Sequence, residues 1–184
     1  EDKGTAEHLK ELIRHHYNEN YRELRKSFKI DPYEHVRNQF KQSIAETVAA
    51  FRDVTFGGSK RQKLSAQNGF SLYGADFVLD NDLDVWYVES QAGPGMEEEY
   101  DFRVEMHREL LRGMIDLVEE IQLKLEADPT ASVLPLKNQG NWDLVYAGSG
   151  DEYWMYEYEG YKRSKNKKGC DIEGQHSTKL IRKQ

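Results

Sequence analysis

Two carboxylates stand in apolar, strand-like segments where an ionised side chain needs a partner. Asp76 lies between Ala75 and Phe77, and Glu89 follows Val88 near the end of the next such segment. A carboxylate buried among apolar side chains is costly unless it is paired, and two neighbouring carboxylates repel each other. A divalent cation between them would remove that repulsion, and carboxylate oxygens suit Mg²⁺ shared with phosphates. The alternative, which spacing alone favours, is that both carboxylates face solvent on a sheet.

The two carboxylates belong to a predicted β-hairpin. Residues 70–79 and 85–90 are rich in aromatic and β-branched side chains, which favour strands. Residues 80–84 supply turn chemistry, and residues 91–95, which contain Gly-Pro-Gly, break the second strand. In such a hairpin Asp76 and Glu89 lie on neighbouring strands, within reach of each other.

Helices and a second hairpin are predicted around this first hairpin. Apolar residues at spacings of three and four predict helices over about 5–28, from 32 to 51 and over 101–125. Asp31, Pro32 and Glu34 are typical of a helix start, whereas Pro129 ends the last helix. A second hairpin is predicted from strands at 142–146 and 153–158. The predicted fold class is therefore α+β, with an antiparallel sheet packed against helices.

Composition excludes several classes of protein. Of the 184 residues, 38% are hydrophobic and 32% are charged, and the net charge is −7. No apolar run reaches the roughly 18–20 residues of a membrane helix, and no secretory signal is visible. Cys170 is the single cysteine, which excludes internal disulfides and cysteine-based zinc sites.

Charge is unevenly distributed along the chain. Residues 160–184 carry eight Lys or Arg against two acids, whereas the remainder is strongly acidic. A basic tail on an acidic body suggests an anionic partner or a tail folded over its own body, and a solvated, disordered end fits equally well. Alternating aromatics at 153–158 could stack nucleic-acid bases, but the acidic body argues against that use.

The segment from Leu72 to Gly95 resembles the last strand pair of an ATP-grasp ligase, specifically of the tubulin–tyrosine ligase family. That family has aromatic-Gly-x-Asp-Phe-hydrophobic-x-Asp, a short turn, Trp-hydrophobic-hydrophobic-Glu-x-Asn and then a proline. The residues in register here are Gly74, Asp76, Phe77, Asp80, Trp86, Glu89 and Pro94. The resemblance covers roughly residues 10–125 and is most specific at 70–95.

The resemblance implies a set of ligands for ATP and Mg²⁺. Asp76 and Glu89 would hold the Mg²⁺ ions that bridge the phosphates of ATP. The third metal ligand of the family is an asparagine, and Gln91 stands at that position. Because Mg²⁺ demands near-ideal geometry, the extra methylene of Gln91 is expected to weaken metal binding. No residue is assigned as a catalytic acid, base or nucleophile.

The resemblance also implies an activity and an architecture. The activity is ATP-dependent carboxylate–amine ligation, which adds Tyr, Glu or Gly to tubulin through an acylphosphate. The phosphate-binding lysines and adenine pocket of such enzymes precede this hairpin, so the chain is expected to be the C-terminal lobe of an ATP-grasp fold. The expected organisation is this lobe at 1–126, an aromatic hairpin extension at 127–161 and a basic tail at 162–184.

A non-catalytic alternative remains open. Gln91 and the aromatic, basic extension also fit a docking or structural subunit of a larger assembly, such as one on microtubules. The implied partner is tubulin or another acidic protein tail, which the basic loop at 60–63 and the basic tail could contact. Each exposed contact of this kind contributes about 0–1 kcal/mol. The implied location is cytoplasmic, at the cytoskeleton or in a cilium.

Overall fold

The computed structural model describes residues 6–20, 30–56, 70–97, 101–149 and 152–159. The elements in chain order are α1 (Ala6–Glu19), α2 (Pro32–Phe56), β1 (Tyr73–Leu79), β2 (Val85–Ala92), α3 (Asp101–Ala127), β3 (Tyr146–Ser149) and β4 (Glu152–Met155). The predicted α+β class is confirmed, and β1–β2 and β3–β4 form separate two-stranded sheets. Among the described helices, none is both long and apolar enough to cross a membrane. The basic loop, the basic tail and Cys170 lie outside the described residues.

The chain divides into two compact units. The first comprises residues 1–59, 77–88 and 144–184, and the second comprises residues 60–76 and 89–143. The turn end of the first hairpin therefore belongs to the first unit, whereas Asp76, Glu89 and Gln91 belong to the second.

A small apolar core holds the first unit together. Its buried members come from α1, α2, the β1–β2 turn and the start of β2, and they are Ile13, Val36, Leu83 and Val85. The ring of Phe77 lies 4.7 Å from that of Phe40 and 5.7 Å from that of Tyr87. The apolar residues of the predicted helices are not all buried, since Leu12 is 52% exposed and Phe51 is 60% exposed.

A buried glutamine joins α2 to the turn of the first hairpin. Gln39 is 1% exposed, its amide nitrogen donates to the Leu83 carbonyl at 2.8 Å, and its oxygen accepts from the Val85 N–H at 3.1 Å. Leu83 has a φ of 61°, which is unfavourable for a bulky residue. Burial of its side chain and the bond from Gln39 hold it in that conformation.

The predicted start of α2 is confirmed. Asp31 Oδ1 accepts hydrogen bonds from the N–H groups of Tyr33 at 3.0 Å and Glu34 at 3.4 Å, as an N-cap does. Burial opposes ionisation of Asp31, but the hydrogen bond from Arg14 and the two backbone N–H groups outweigh it and lower the pKa of the carboxyl. The first helix, predicted to reach residue 28, ends at Glu19, and 21–29 lie outside the described residues.

The second hairpin forms, but its predicted bounds are wrong. Its register runs from Tyr146 opposite Met155 to Ser149 opposite Glu152. Trp142, predicted to begin the first strand, instead donates its backbone N–H to Gln139 in a turn. The pairing continues one residue past β4, where the Tyr156 N–H donates to the Val145 carbonyl at 2.9 Å. Two tyrosines bind this segment to α2: Tyr156 OH donates to Asn38 Oδ1 at 2.9 Å, and Tyr158 OH lies 2.7 Å from His35 Nδ1.

In the second unit, hydrogen bonds to Glu120 hold residues 128–143 against α3. The carboxylate is buried and accepts hydrogen bonds from the N–H groups of Lys137 and Asn138 at 2.9 and 2.8 Å. Lys124 Nζ donates to Glu120 at 2.6 Å and also to the Pro135 carbonyl at 2.6 Å. The bond from Lys124, aided by those N–H groups, lowers the pKa of Glu120 from 4.5 to about 2.

The lowered pKa of Glu120 predicts that residues 128–143 detach from α3 at acidic pH. Above pH 4.5 Glu120 is ionised in both the folded and unfolded chain, and its stabilising contribution is complete; it is lost as the pH falls from 4.5 towards about 2. The measurement is amide hydrogen exchange at Lys137 and Asn138, expressed as protection factors. Glu120→Gln should lower protection at neutral pH and remove this acid dependence. Glu119→Gln, on an exposed neighbour, should change neither; equal behaviour of the two variants would contradict the assignment.

Candidate functional site

The turn end of the first hairpin is organised by one motif residue, Asp80. Its Oδ1 accepts the N–H groups of Asp82 and Asp84 at 3.0 and 2.9 Å, and its Oδ2 accepts the indole N–H of Trp86 at 2.8 Å. Asp80 also donates its own N–H to the Asp84 carbonyl at 3.1 Å. Within this hairpin the motif residues Asp80 and Trp86 therefore build the turn.

That turn sets the register of the neighbouring strand residues. Because Asp80 lies opposite Asp84, counting inward places Phe77 opposite Tyr87. The contact between these two rings agrees with this register. Both side chains are partly buried, whereas Val78 and Trp86 are 55% and 52% exposed on the other face.

The open end of the hairpin follows a different register. Gly93 donates its N–H to the Leu72 carbonyl at 3.3 Å, which places these residues opposite each other. Counting inward then places Gly74 opposite Gln91. The distance between their side-chain positions agrees with this pair, because a Cβ built on Gly74 would lie 3.7 Å from Gln91 Cγ.

The registers at the turn end and at the open end differ by one residue. One extra residue on one of two paired strands defines a β-bulge. From Phe77 to Gly74, β1 advances by three positions, whereas β2 advances from Tyr87 to Gln91 by four. The extra residue therefore lies on β2 between Tyr87 and Gln91. In a regular hairpin with the turn-end register, alternation would place Asp76 and Gln91 on opposite faces. The extra residue brings Gln91 to the face of Asp76, and Glu89 shares this face if the extra residue is Val88.

The open end of the hairpin carries two carboxylates and one amide. Asp76, Glu89 and Gln91 are all exposed, so the expectation that burial forces a cation between the carboxylates is not met. Directly opposite residues have Cβ atoms about 4.5–5.5 Å apart. The donor set consists of hard oxygen ligands, which fits Mg²⁺ that keeps several of its waters. No group of three or more His, Cys, Asp or Glu able to hold a metal occurs in the described part of the chain.

The end of β2 differs from its prediction, because the strand continues through Ala92 instead of breaking at Gln91. Gly93 has a φ of +69°, a conformation that side chains disfavour. After this turn Pro94 passes over Gly74, where a Cβ would meet the Pro94 Cβ at 3.1 Å. The sequence predicted a strand break here, but it did not indicate which residue of β1 the proline would contact.

The part of the chain that contains this hairpin matches a known protein family. Residues 5–128 match the Tubulin-tyrosine ligase family. This chain belongs to the tubulin–tyrosine ligase family. The match contains α1, α2, the first hairpin and α3, and β3–β4 lies beyond it. The resemblance seen at residues 70–95 is thereby confirmed at the level of the family.

Two similar proteins carry the names of a polyglycylase and a tubulin glycylase. Protein polyglycylase TTLL10 of Rattus norvegicus is 28% identical over 99 residues, which cover 51% of this chain and 14% of that protein. Tubulin glycylase 3E of Tetrahymena thermophila is 26% identical over 141 residues, which cover 72% of this chain and 10% of that protein. The chain thus spans about a tenth to a seventh of the length of these relatives. No solved structure matches the chain.

Proposed function

We propose that this chain supplies the metal-binding hairpin of an ATP-dependent ligase that attaches an amino acid to tubulin. The observation that supports this most is the change of register in the first hairpin. It brings the Gln91 amide to the exposed face that carries Asp76, and in this proposal Val88 is the extra residue, so that Glu89 lies on the same face. Family membership makes carboxylate–amine ligation the matching chemistry.

In this proposal Asp76 and Glu89 would hold Mg²⁺, and the Gln91 amide oxygen would be the third protein ligand. When bound, the metal would supply neutralisation of charge on the phosphates of ATP. The side chains of this chain contribute negative charge and position, and none of them is assigned as a proton donor or acceptor. The exposed face suits a site completed by other parts of the enzyme, in keeping with the C-terminal lobe of an ATP-grasp fold.

Glycine is the amino acid that we propose for the reaction. This choice rests on the two relatives, whose names describe a polyglycylase and a tubulin glycylase. The acceptor would be a carboxylate of tubulin, and the basic loop at 60–63 and basic tail at 162–184 would contact its acidic tail. A tubulin substrate also implies that the protein acts in the cytoplasm, at the cytoskeleton or in a cilium.

The test is amino-acid incorporation by the full-length natural protein. The protein is incubated with tubulin, ATP, Mg²⁺ and labelled glycine, tyrosine or glutamate in parallel. We expect label from glycine to enter tubulin, and we expect omission of ATP or Mg²⁺ to abolish it. Incorporation of tyrosine or glutamate instead would overturn the choice of glycine alone.

A second function is favoured by one observation, the glutamine at position 91. If the longer amide fails to complete the metal site, the protein would be a non-catalytic module that docks on tubulin or within a larger assembly. Co-sedimentation with microtubules without incorporation of any of the three amino acids would favour this second function.

A further inference from the structure

A small clasp closes the open end of the first hairpin. It consists of Gly74 on β1 with Gly93 and Pro94 after β2, and we call it the glycine–proline clasp. The Gly93 N–H donates to the Leu72 carbonyl at 3.3 Å, the positive φ of Gly93 turns the chain, and Pro94 then lies against Gly74. All members of the clasp and the three proposed metal ligands belong to the same compact unit.

We propose that the glycine–proline clasp positions Gln91 as the third metal ligand. This inference rests on the proposed function and adds positioning roles for Gly74 and Pro94. Gln91 is exposed and has one more rotatable bond than asparagine, so its amide oxygen needs confinement to meet a cation with strict geometry. The clasp fixes the backbone beside Gln91, because the Gly93 N–H bonds to the Leu72 carbonyl and Gln91 Cγ lies close to the space over Gly74, 3.7 Å from where a Cβ would be.

The contact distances explain why position 74 must be glycine. A Cβ at Gly74 would lie 3.1 Å from Pro94 Cβ and 3.8 Å from Pro94 Cα, so alanine would force the proline to shift. The shift passes to Gln91 through the short connection by Gly93. Asp76 and Glu89 lie further along the strands, away from Pro94, and they would keep their places. Gly74→Ala therefore acts on the third ligand and leaves the first two.

Gly95 offers a matched control for the same substitution. A Cβ at Gly95 would meet nothing within 4 Å, and its backbone lies outside the region that requires glycine. Gly95→Ala therefore adds the same methyl group one residue beyond Pro94, without touching the clasp.

The experiment is a titration of the full-length protein with Mn²⁺, followed by electron paramagnetic resonance. We expect Gly74→Ala to weaken Mn²⁺ binding about 10- to 100-fold, the range typical of residues that orient metal ligands, and Gly95→Ala to leave it unchanged. In a Gln91→Ala background, Gly74→Ala should cause no further loss, because the clasp acts through Gln91. A merely structural role would weaken binding equally in both backgrounds and would overturn the proposal.

A metal-free readout separates this inference from the proposed function. Hydrogen exchange of the Gly93 amide should be faster in Gly74→Ala than in Gly95→Ala, and unchanged exchange would overturn the clasp. Failure of the wild-type protein to bind Mn²⁺, or binding unaffected by Asp76→Asn with Glu89→Gln, would overturn the metal site and the positioning role with it. Mn²⁺ binding equal in Gly74→Ala and wild type would overturn the positioning role alone. Should Gly74→Ala fail to fold, Pro94→Gly removes the ring without a clash and should weaken Mn²⁺ binding in the same way.

Discussion

Replacing Asp76 by asparagine, or Glu89 by glutamine, should lower Mg²⁺-dependent ligation by about 100- to 1,000-fold, as loss of one transition-state charge partner does. Each change removes a negative charge from the face that would hold Mg²⁺ and keeps the shape of the side chain. Both side chains are exposed, so the free energy of unfolding of the metal-free protein should hardly change. The measurements are the initial rate of glycine incorporation into tubulin and thermal unfolding of each variant.

Asp82→Asn is the matched control for these two variants. Asp82 is an exposed acid in the turn of the same hairpin, and its backbone N–H, not its carboxylate, bonds to Asp80. The control should retain the wild-type rate. Because Asp76 and Glu89 would bind one metal, the double variant should lose little more activity than either single variant. Wild-type rates in both single variants would overturn the proposed metal site.

Replacing Gln39 by leucine should destabilise the protein by about 2–5 kcal/mol, since each buried backbone group left without a partner costs about 1–3 kcal/mol. The glutamine side chain satisfies the Leu83 carbonyl and the Val85 N–H, and it is almost fully buried. Leucine has a similar size but cannot hydrogen-bond to either group. For a chain of this size, the midpoint of thermal unfolding should fall by roughly 5–15 °C.

Gln122→Leu tests whether the effect belongs to the buried position. Gln122 is partly exposed on α3, so the same substitution should change the midpoint of unfolding by less than about 2 °C. Gln39→Glu should be destabilising as well, because a carboxylate can accept from Val85 but cannot donate to Leu83 when ionised. An unchanged midpoint in Gln39→Leu would show that water or a rearranged turn replaces the amide.

The amino-acid sequence determined the local elements that rely on short-range chemistry. The start of α2 follows from Asp31 and Pro32, because capping needs only atoms within one turn. The strands of the first hairpin and the acids of its turn were likewise readable from residue type. Family membership was also readable, since the motif at 70–95 combines several residue types at defined spacings.

Polar residues of the cores were not predictable from the same patterns. Gln39, Glu120 and His107 are buried, although periodicity assigned the buried faces of their helices to apolar residues. Gln39 and Glu120 satisfy backbone groups far along the chain, so their role depends on which loop each helix meets. The bounds of the second hairpin were wrong for a similar reason, because Trp142 donates its indole N–H to the Leu110 carbonyl of α3.

The first hairpin separates most clearly what the sequence predicts from what the tertiary structure decides. The sequence alone indicated that Asp76 and Glu89 lie on paired strands, but regular alternation along that pair would have set them on opposite faces. The register is decided by hydrogen bonds at the two ends of the hairpin, from Asp80 to Asp84 and from Gly93 to Leu72. The two ends of the hairpin set registers that differ by one residue, so the strand with the extra residue contains a β-bulge. Only the tertiary structure could reveal the extra residue of β2, because the face of a strand residue depends on which residue of the neighbouring strand lies opposite.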